Sequence, residues 1–344
     1  MFLTEITKLK AACLHHIGNK AAGEGVILSH HILELDEVSQ KNLFTYCFSS
    51  FKSDEKYVFH NPVDLEYNET MSSVQKIFAS PDTFLEQSHI LAKLLYDKSE
   101  HSNIKRGDLI VTYFTDCEVN GYVTDAIGLY KCENTANFLS LTYKGYSAGI
   151  TSLKGVDLKQ VDKAAMIFNI DGDIGYSIAI IDNSNKAEAR YWVEDFLQAK
   201  PKEDEYHHTT MFLNAAKGFI KKSLPSDVTK GQKVELMDKT LRYFQNSETF
   251  DMNDFTSKVM DDSQLSSVFE SYLGSFMERN NVEMPEKFSI SESAVRKSSR
   301  AMKSVIKLDK NFHVYVHGGE GLIKKGYDPE TGMSFYQLYF NEEE

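Results

Sequence analysis

The chain has 344 residues, more than one hydrophobic core ordinarily supports, so its length predicts about two domains. Its apolar content of 42% and aromatic content of 12% are typical of packed, folded domains, and the sequence has no run of eighteen apolar residues to span a membrane. The formal charge of −12 excludes attraction of a polyanion by the protein as a whole, so binding of nucleic acid would need cations gathered into a patch.

The N-terminus and the cysteines indicate a cytoplasmic protein. Glu5 lies where a secretory signal would have basic residues followed by a long apolar core, so we expect no signal peptide. The cysteines form no C-x-x-C pair, and in a reducing compartment we expect all four to be buried apolar residues: Cys13, Cys47, Cys117 and Cys132.

The first half of the chain predicts strands mixed with helices. An opening strand is predicted over residues 6–16, then a helix capped by Asp36, then a helix that begins at Ser80-Pro81 and runs to about Asp97. Four strands are predicted after these helices, over residues 109–114, 121–130, 165–170 and 176–181. The glycines of the segment 171–175 predict a tight turn between the last two strands.

After about residue 185 the pattern becomes helical. Apolar residues recur at helical spacing in four segments, most regularly in the last: 191–197, 210–220, 234–244 and 265–277. The C-terminus returns to strands around a turn at 328–332. The sequence therefore predicts an α+β protein in which a mixed α/β domain with an antiparallel sheet, residues 1–185, precedes a mainly helical domain, residues 186–344, that ends in a β-hairpin.

One window of this acidic chain is strongly basic. Residues 296–325 hold eight lysines or arginines against Asp309 and Glu320, which gives about +6. A helix capped by Ser291 would place Arg296, Arg300, Lys303 and Lys307 in one stripe. If that helix stops near Met302, Lys303 and Lys307 belong to a strand and the stripe becomes two shorter ones. The alternative interpretation is a solvated face of an amphipathic helix.

A second basic window covers residues 215–242, with seven cations against three acids, or +4. Its Lys221-Lys222 pair could also serve only to stabilise the end of a helix. Together the two windows supply the candidate phosphate-binding residues: Arg296, Lys297, Arg300, Lys303, Lys307, Lys310, Lys324, Lys325, Lys221 and Lys222.

The sequence offers little for a metal, a cofactor or catalysis. The adjacent histidines His15-His16 would point to opposite faces of a strand, and His313 and His317 have no supporting acid or cysteine nearby. The segment 171–182 resembles a calcium loop superficially, but Tyr176 stands where that loop needs glycine. The glycines at 318, 319 and 321 lack the lysine of a phosphate-binding loop. We therefore predict no metal, no cofactor and no catalytic residues.

The residues resemble a known family at both ends and in the middle. The segments that show this resemblance are residues 14–20 (LHHIGNK), 107–111 (GDLIV), 311–316 (NFHVYV) and 326–332 (GYDPETG). Together they make the chain similar to the bacterial 37-kilodalton nucleoid-associated proteins (NdpA-like), over nearly its whole length. The resemblance implies a cytoplasmic protein associated with the nucleoid and able to bind DNA. It supplies no catalytic or DNA-contacting residues to carry over.

Three hypotheses follow from the residues and the resemblance. The first is a DNA-binding protein that contacts the phosphates of double-stranded DNA with little sequence specificity, as a homodimer joined through its aromatic C-terminal helices. The second is an adaptor that binds a DNA-associated enzyme or another nucleoid partner through the same basic surface. The third, an enzyme acting on nucleic acid, would require carboxylates clustered beside that surface to hold Mg²⁺.

Overall fold

The computed structural model divides the chain into two compact units, Met1–Lys202 and Glu203–Glu344. The residues that it describes are 6–119, 121–183, 191–224, 228–260, 262–302, 304–308, 311–316, 323–340 and 342. The sequence-based boundary near residue 185 falls within 184–190, outside the described residues, and stays a prediction. The first unit continues to Lys202 because a strand at 199–201 pairs with the sheet of that unit.

An antiparallel sheet of eight strands organises the first unit. In chain order the strands of this unit are β1 Lys8–Ile17, β2 Val26–Ile27, β3 Tyr57–Phe59, β4 Gly107–Val119, β5 Tyr122–Cys132, β6 Ala136–Lys144, β7 Ser147–Gly155, β8 Lys163–Phe168, β9 Ser177–Asp182 and β10 Ala199–Pro201. The order across the sheet is β10-β3-β9-β8-β5-β4-β1-β2. Strands β6 and β7 pair only with each other, as a separate hairpin between β5 and β8.

Helices cover the two faces of this sheet. They are α1 Glu37–Ser49, α2 Glu69–Ala79 and α3 Phe84–Lys98, with a π-helical segment at Tyr191–Phe196. Asp36 accepts a hydrogen bond from the Ser39 amide, as expected for the cap of α1. Helices α2 and α3 share one apolar core with the sheet, and α1 lies in the core on the other side, so β4, β5 and β8 are buried on both faces.

Five α-helices make up most of the second unit: α4 Glu205–Lys222, α5 Lys230–Asn246, α6 Met252–Phe255, α7 Ser263–Asn280 and α8 Glu292–Ala301. Its strands form three two-stranded pairs: β11 Thr249–Asp251 with β12 Lys287–Ser289, β13 Ser304–Leu308 with β14 Phe312–Val316, and β15 Ile323–Asp328 with β16 Met333–Leu338. The core is built on phenylalanine. The ring centroid of Phe212 lies 4.3 Å from that of Phe250 and 4.9 Å from that of Phe255.

The predicted fold class is confirmed, and several elements differ in detail. The opening strand, the strands around the turn at 171–175 and the four apolar helical segments are present, the first of those segments as the π-helical turn. Helix α2 and the hairpin of β6 and β7 were not predicted. Two hairpins, rather than one, follow α8 in the described part of the chain. All four cysteines are buried, as expected.

Candidate nucleic-acid interface

Helix α8 carries three of the predicted cations on an exposed face. Ser291 caps the helix through the Ala294 amide, as predicted. Ala294, Val295 and, just past the helix, Met302 are buried in the core. Arg296, Lys297 and Arg300 are exposed. The amphipathic pattern thus anchors one side of the helix and leaves the guanidinium groups in solvent.

The predicted stripe is not continuous beyond α8. The helix ends at Ala301, with Met302 as its C-cap, and β13 begins at Ser304. The β-branched pair Val305-Ile306 favours the strand, so Lys307 lies on β13 rather than on the helix. Of the other predicted cations, Lys303 and Lys310 fall outside the described residues. The arrangement is therefore a short helical stripe followed by a strand.

The hairpin of β15 and β16 presents lysines beside aromatic rings. Lys324 and Lys325 are both exposed, and as neighbours in a strand they point to opposite faces. The Lys324 Nζ lies 5.4 Å from the centroid of the Tyr339 ring, and Lys325 is paired across the strands with Tyr336. Phe335 on the same hairpin is also exposed. Cations interleaved with exposed rings suit contact with phosphates and bases.

The lysines at the end of α4 are separate from α8. Lys221 and Lys222 are exposed in the last turn of α4. The Lys297 Nζ, in contrast, lies 5.5 Å over the ring of Tyr206 in the first turn of the same helix. Tyr206 and Lys221 are fifteen residues apart on α4, which corresponds to a rise of about 22 Å. Lys297 and the pair Lys221-Lys222 therefore lie at opposite ends of this helix. The two basic windows therefore do not meet along this helix.

Two lysines of α4, Lys217 and Lys221, lie close enough for their positive charges to repel each other. Burial lowers the pKa of Lys217, and the neighbouring ammonium of Lys221 lowers that pKa further. A bound anion would relieve this repulsion. Lys221 and Lys222 thus make a smaller second cluster of positive charge at the C-terminal end of α4, where cations also favour the helix dipole.

Other cations of the second window are neutralised within their own helix. On α5 the Lys239 Nζ lies 3.3 Å from a Glu235 oxygen, and the Arg242 Nε lies 2.9 Å from an Asp238 oxygen. Each pair is spaced i,i+4, the usual geometry of a solvated helix face. Within the described residues, Arg296 and Arg300 have no such ion pair, which distinguishes α8 from α5.

A metal site finds no support among the described residues. No group of three or more histidine, cysteine or acidic side chains in that part of the chain is arranged to hold a metal ion. The segment 171–182 is a turn and strand of the sheet, as interpreted from Tyr176. The glycines at 318–321 lie outside the described residues.

His15 is a buried part of the fold rather than a ligand. The Ser29 amide donates to His15 Nδ1 at 3.2 Å, so the proton is on Nε2, which donates to Ser88 Oγ at 3.0 Å. Burial, reinforced by the neighbouring His89, lowers the pKa of His15 to about 4. The imidazole is therefore neutral at neutral pH.

This lowered pKa makes the first unit sensitive to acid. Between pH 6.5, the ordinary His value, and pH 4 the unfolded chain binds a proton at His15 that the folded chain does not. Stability is therefore intact above this window and falls as the pH is lowered through it, by about 2 kcal/mol between pH 7 and pH 5. We expect His15→Gln, which cannot bind that proton, to lose about 2 kcal/mol less than the native chain over the same interval. Urea unfolding at both pH values measures this, and equal losses would contradict it.

Sequence reasoning missed the aromatic residues beside the basic window. Tyr327, Phe335 and Tyr339 are exposed around Lys324 and Lys325. Their signal was available, because aromatic residues next to a lysine pair on either side of a turn predict an exposed hairpin with stacking surfaces. A count of charged residues does not identify these aromatic residues.

The fold and this surface define an acidic two-unit α+β protein whose second unit exposes cations on α8 and on the hairpin of β15 and β16. Within the described residues no helix has the length and apolar character needed to cross a membrane. The chain belongs to the family of the nucleoid-associated protein YejK, whose family model matches residues 13–333. No curated protein matches the chain significantly. Family membership confirms the resemblance to bacterial nucleoid-associated proteins and supports a nucleoid-associated role.

Proposed function

We propose that this protein contacts the phosphates of double-stranded DNA directly, with little sequence specificity, through α8 and the hairpin of β15 and β16. The supporting observation is that the cations of α8 and those of α5 differ in their ion pairing. The guanidinium groups of Arg296 and Arg300 are exposed and make no ion pair in the described chain, whereas Lys239 and Arg242 are held by acids one turn away. Unneutralised exposed cations are what release counterions from DNA on binding.

Little sequence specificity follows from the type of contact. Phosphates look alike at every base pair, so arginine and lysine contacts to them position a protein without reading the sequence. A helix that entered the major groove to read bases would need several side chains aimed at base edges. Helix α8 has only ten residues, and the side chains it exposes are three cations, one acid and one alanine: Arg296, Lys297, Arg300, Glu292 and Ala301.

The experiment is a fluorescence-anisotropy titration of a labelled duplex of arbitrary sequence, from low to physiological salt. Five described cations can contribute: Arg296, Lys297, Arg300, Lys324 and Lys325. At about −0.9 per neutralised phosphate, we expect a log–log salt slope of about −3 to −5. A scrambled duplex should bind within about 3-fold, because phosphate contacts ignore sequence. Absence of binding at low salt would contradict direct contact.

The second candidate function is an adaptor that binds a DNA-associated protein. The exposed rings of Phe335 and Phe340 beside the lysines favour it, because exposed aromatic residues also mark protein interfaces. The net charge of −12 disfavours a general DNA packager. The salt titration separates the two functions, since an adaptor without phosphate contacts would show no DNA binding.

The proposal places the protein in the cytoplasm at the nucleoid and includes no catalytic step, because the family is not a known enzyme family. It also includes a homodimer. The dimer hypothesis rests on the aromatic richness of the C-terminal helices, and the rings of Phe219, Phe244 and Phe269 on those helices are buried in the core of the second unit. A dimer therefore needs another surface.

A further inference from the structure

The hairpin of β15 and β16 holds one phenylalanine ring flat against its own backbone. The register pairs Gly326 with Phe335 directly across the two strands. A Cβ atom at position 326 would lie 2.6 and 2.7 Å from Cε1 and Cε2 of that ring, and closer still to Cζ. These near-equal distances mean that the glycine meets the face of the ring and not its edge. The ring therefore lies across the strands, an arrangement that only glycine leaves room for.

The outer face of this ring is open to solvent. Phe335 keeps 47% of its surface exposed, as expected for a ring whose inner face is covered by backbone. We call the Phe335 ring, supported by Gly326, the platform. A planar partner can cover the outer face of the platform completely. Stacking on aromatic rings is the means by which proteins hold nucleic acid bases without reading their sequence.

Polar and aromatic groups surround the platform on the same face. Alternate residues of a strand share a face, so Lys324 lies on the face of Gly326. Gln337 lies on the face of Phe335 for the same reason and is exposed, with an amide that both donates and accepts hydrogen bonds. The Lys324 Nζ lies 5.4 Å from the centroid of the Tyr339 ring, which brings a second exposed ring beside this face.

The charges of the hairpin are segregated along its length. Lys324 and Lys325 lie at the open end of the hairpin, and the acids Asp328 and Glu330 lie at its turn. The Asp328 carboxylate is engaged within that turn, where it accepts hydrogen bonds from the Glu330 amide at 2.9 Å and the Thr331 hydroxyl at 2.7 Å. The lysines are thus positioned to meet phosphates of a strand whose bases lie on the rings.

The flat geometry favours a nucleic acid base over a protein partner. Aromatic side chains that dominate protein interfaces fill pockets of the other protein. A ring that lies on its own backbone does not protrude, so it cannot fill a pocket. In duplex DNA the faces of the bases are covered by their neighbours in the stack, so only unpaired bases have a free face. Membership of a nucleoid-associated family favours DNA as the source of these bases.

We propose that this hairpin binds unpaired bases of single-stranded DNA, with one base stacked on the outer face of Phe335 while Lys324 and Lys325 contact the adjoining phosphates. The inference deepens the proposed DNA contact and rests on it for the role of the two lysines. The two proposals fail separately, because phosphate contact predicts binding to a duplex and stacking predicts a preference for unpaired bases.

The first test compares three labelled DNAs by fluorescence anisotropy at physiological salt. They are an oligothymidylate of about 20 nucleotides, an abasic oligomer of the same length, and a duplex. The abasic oligomer keeps the phosphates and lacks the bases. We expect the oligothymidylate to bind at least about 10-fold more tightly than the abasic oligomer, and at least about 3-fold more tightly than the duplex, because stacking adds to phosphate contact.

Equal binding of the oligothymidylate and the abasic oligomer would overturn the inference. Duplex binding without a preference for unpaired bases would also overturn it, and would leave the proposed duplex contact intact. A preference for unpaired bases without duplex binding would support the inference and reject the duplex contact. A uridine RNA of the same length that binds more tightly than the oligothymidylate would overturn the assignment to DNA.

Two variants test the platform itself. Phe335→Leu stays apolar but loses the ring, and we expect it to weaken oligothymidylate binding at least about 5-fold, the lower end for stacking of one base. Its affinity for the abasic oligomer should stay within about 2-fold of native. Gly326→Val keeps the ring but places a side chain where the ring lies, and should weaken oligothymidylate binding at least about 3-fold.

The matched control is the same substitution at Phe312 on β14. That ring belongs to the same unit and is 63% exposed, more than Phe335, so Phe312→Leu removes an equally large ring away from the platform. Its oligothymidylate affinity should stay within about 2-fold of native. Far-UV circular dichroism should be native for all three variants. Native affinity in Phe335→Leu or in Gly326→Val, or an equal loss in Phe335→Leu and Phe312→Leu, would overturn the inference.

Discussion

Reversing two charges on α8, in the variant R296E/R300E, is expected to weaken duplex DNA binding at least about 100-fold at low salt. The native side chains would each neutralise a phosphate, and the glutamates would repel one. The salt slope should become shallower by about 1.8 for the two lost contacts. Both side chains are exposed, so the stability cost is small. It comes from an acid near the C-terminus of a helix and from like charges at i,i+4 beginning at Glu292, and we expect a shift in Tm of less than about 3 °C.

The matched control for this prediction is K239E/R242E on α5. It changes the net charge by the same amount in the same unit, and it breaks two i,i+4 ion pairs at a similar small cost in stability. Because those cations are already neutralised by Glu235 and Asp238, DNA binding should fall by less than about 5-fold. Equal weakening by the two variants would mean that net charge alone governs binding, and unchanged binding by R296E/R300E would reject α8 as a contact surface.

The second large effect is expected at a buried ion pair in the first unit. The Lys131 side chain is completely buried, and its Nζ donates to the Lys105 carbonyl at 2.8 Å and to the Tyr191 hydroxyl at 3.0 Å. It lies 3.2 Å from Glu133 Oε1, which also accepts from Tyr191 at 2.8 Å. Burial lowers the pKa of Lys131, and the Glu133 carboxylate opposes that shift.

Replacing Lys131 by Met should lower the free energy of unfolding by about 3–5 kcal/mol, because it leaves the Glu133 carboxylate buried without its cation. Urea unfolding followed by Trp192 fluorescence measures this loss in the unit concerned. The double variant K131M/E133L should recover most of the loss, since two apolar side chains replace two charges. A single variant within about 1 kcal/mol of the native chain would show that the pair is solvated in solution.

Local signals in the sequence predicted much of the fold. The caps at Asp36 and Ser291, the turn at 171–175 and the helical repeat of 265–277 each depend on residues close together in the chain, and each is confirmed. The hairpin at β6 and β7 was missed although its apolar and polar residues alternate as in a strand. Alternation usually marks a strand with one face in the core, but neither face of this hairpin is buried. The usual pattern therefore did not identify it.

The candidate surface depended more on tertiary structure. The count of lysines and arginines identified the basic windows, but ion pairing decides which of these cations remain available. Both helices have an acid one turn before a cation, Glu235 before Lys239 on α5 and Glu292 before Arg296 on α8. Among the described residues, the structure forms the first of these ion pairs and not the second. The length of α4 likewise separates Lys221 from Lys297, which belong to the two different basic windows.

The sequence by itself therefore determined the α+β class, the helix caps, the turns and the local excess of positive charge, because these properties arise from neighbours in the chain. Tertiary structure alone decided where the stripe of cations ends, that the aromatic rings of the C-terminal helices lie in the core, and that the apolar residues of the hairpin of β6 and β7 stay exposed. Burial arises between residues far apart in sequence, and its energy depends on which surfaces the folded chain brings together.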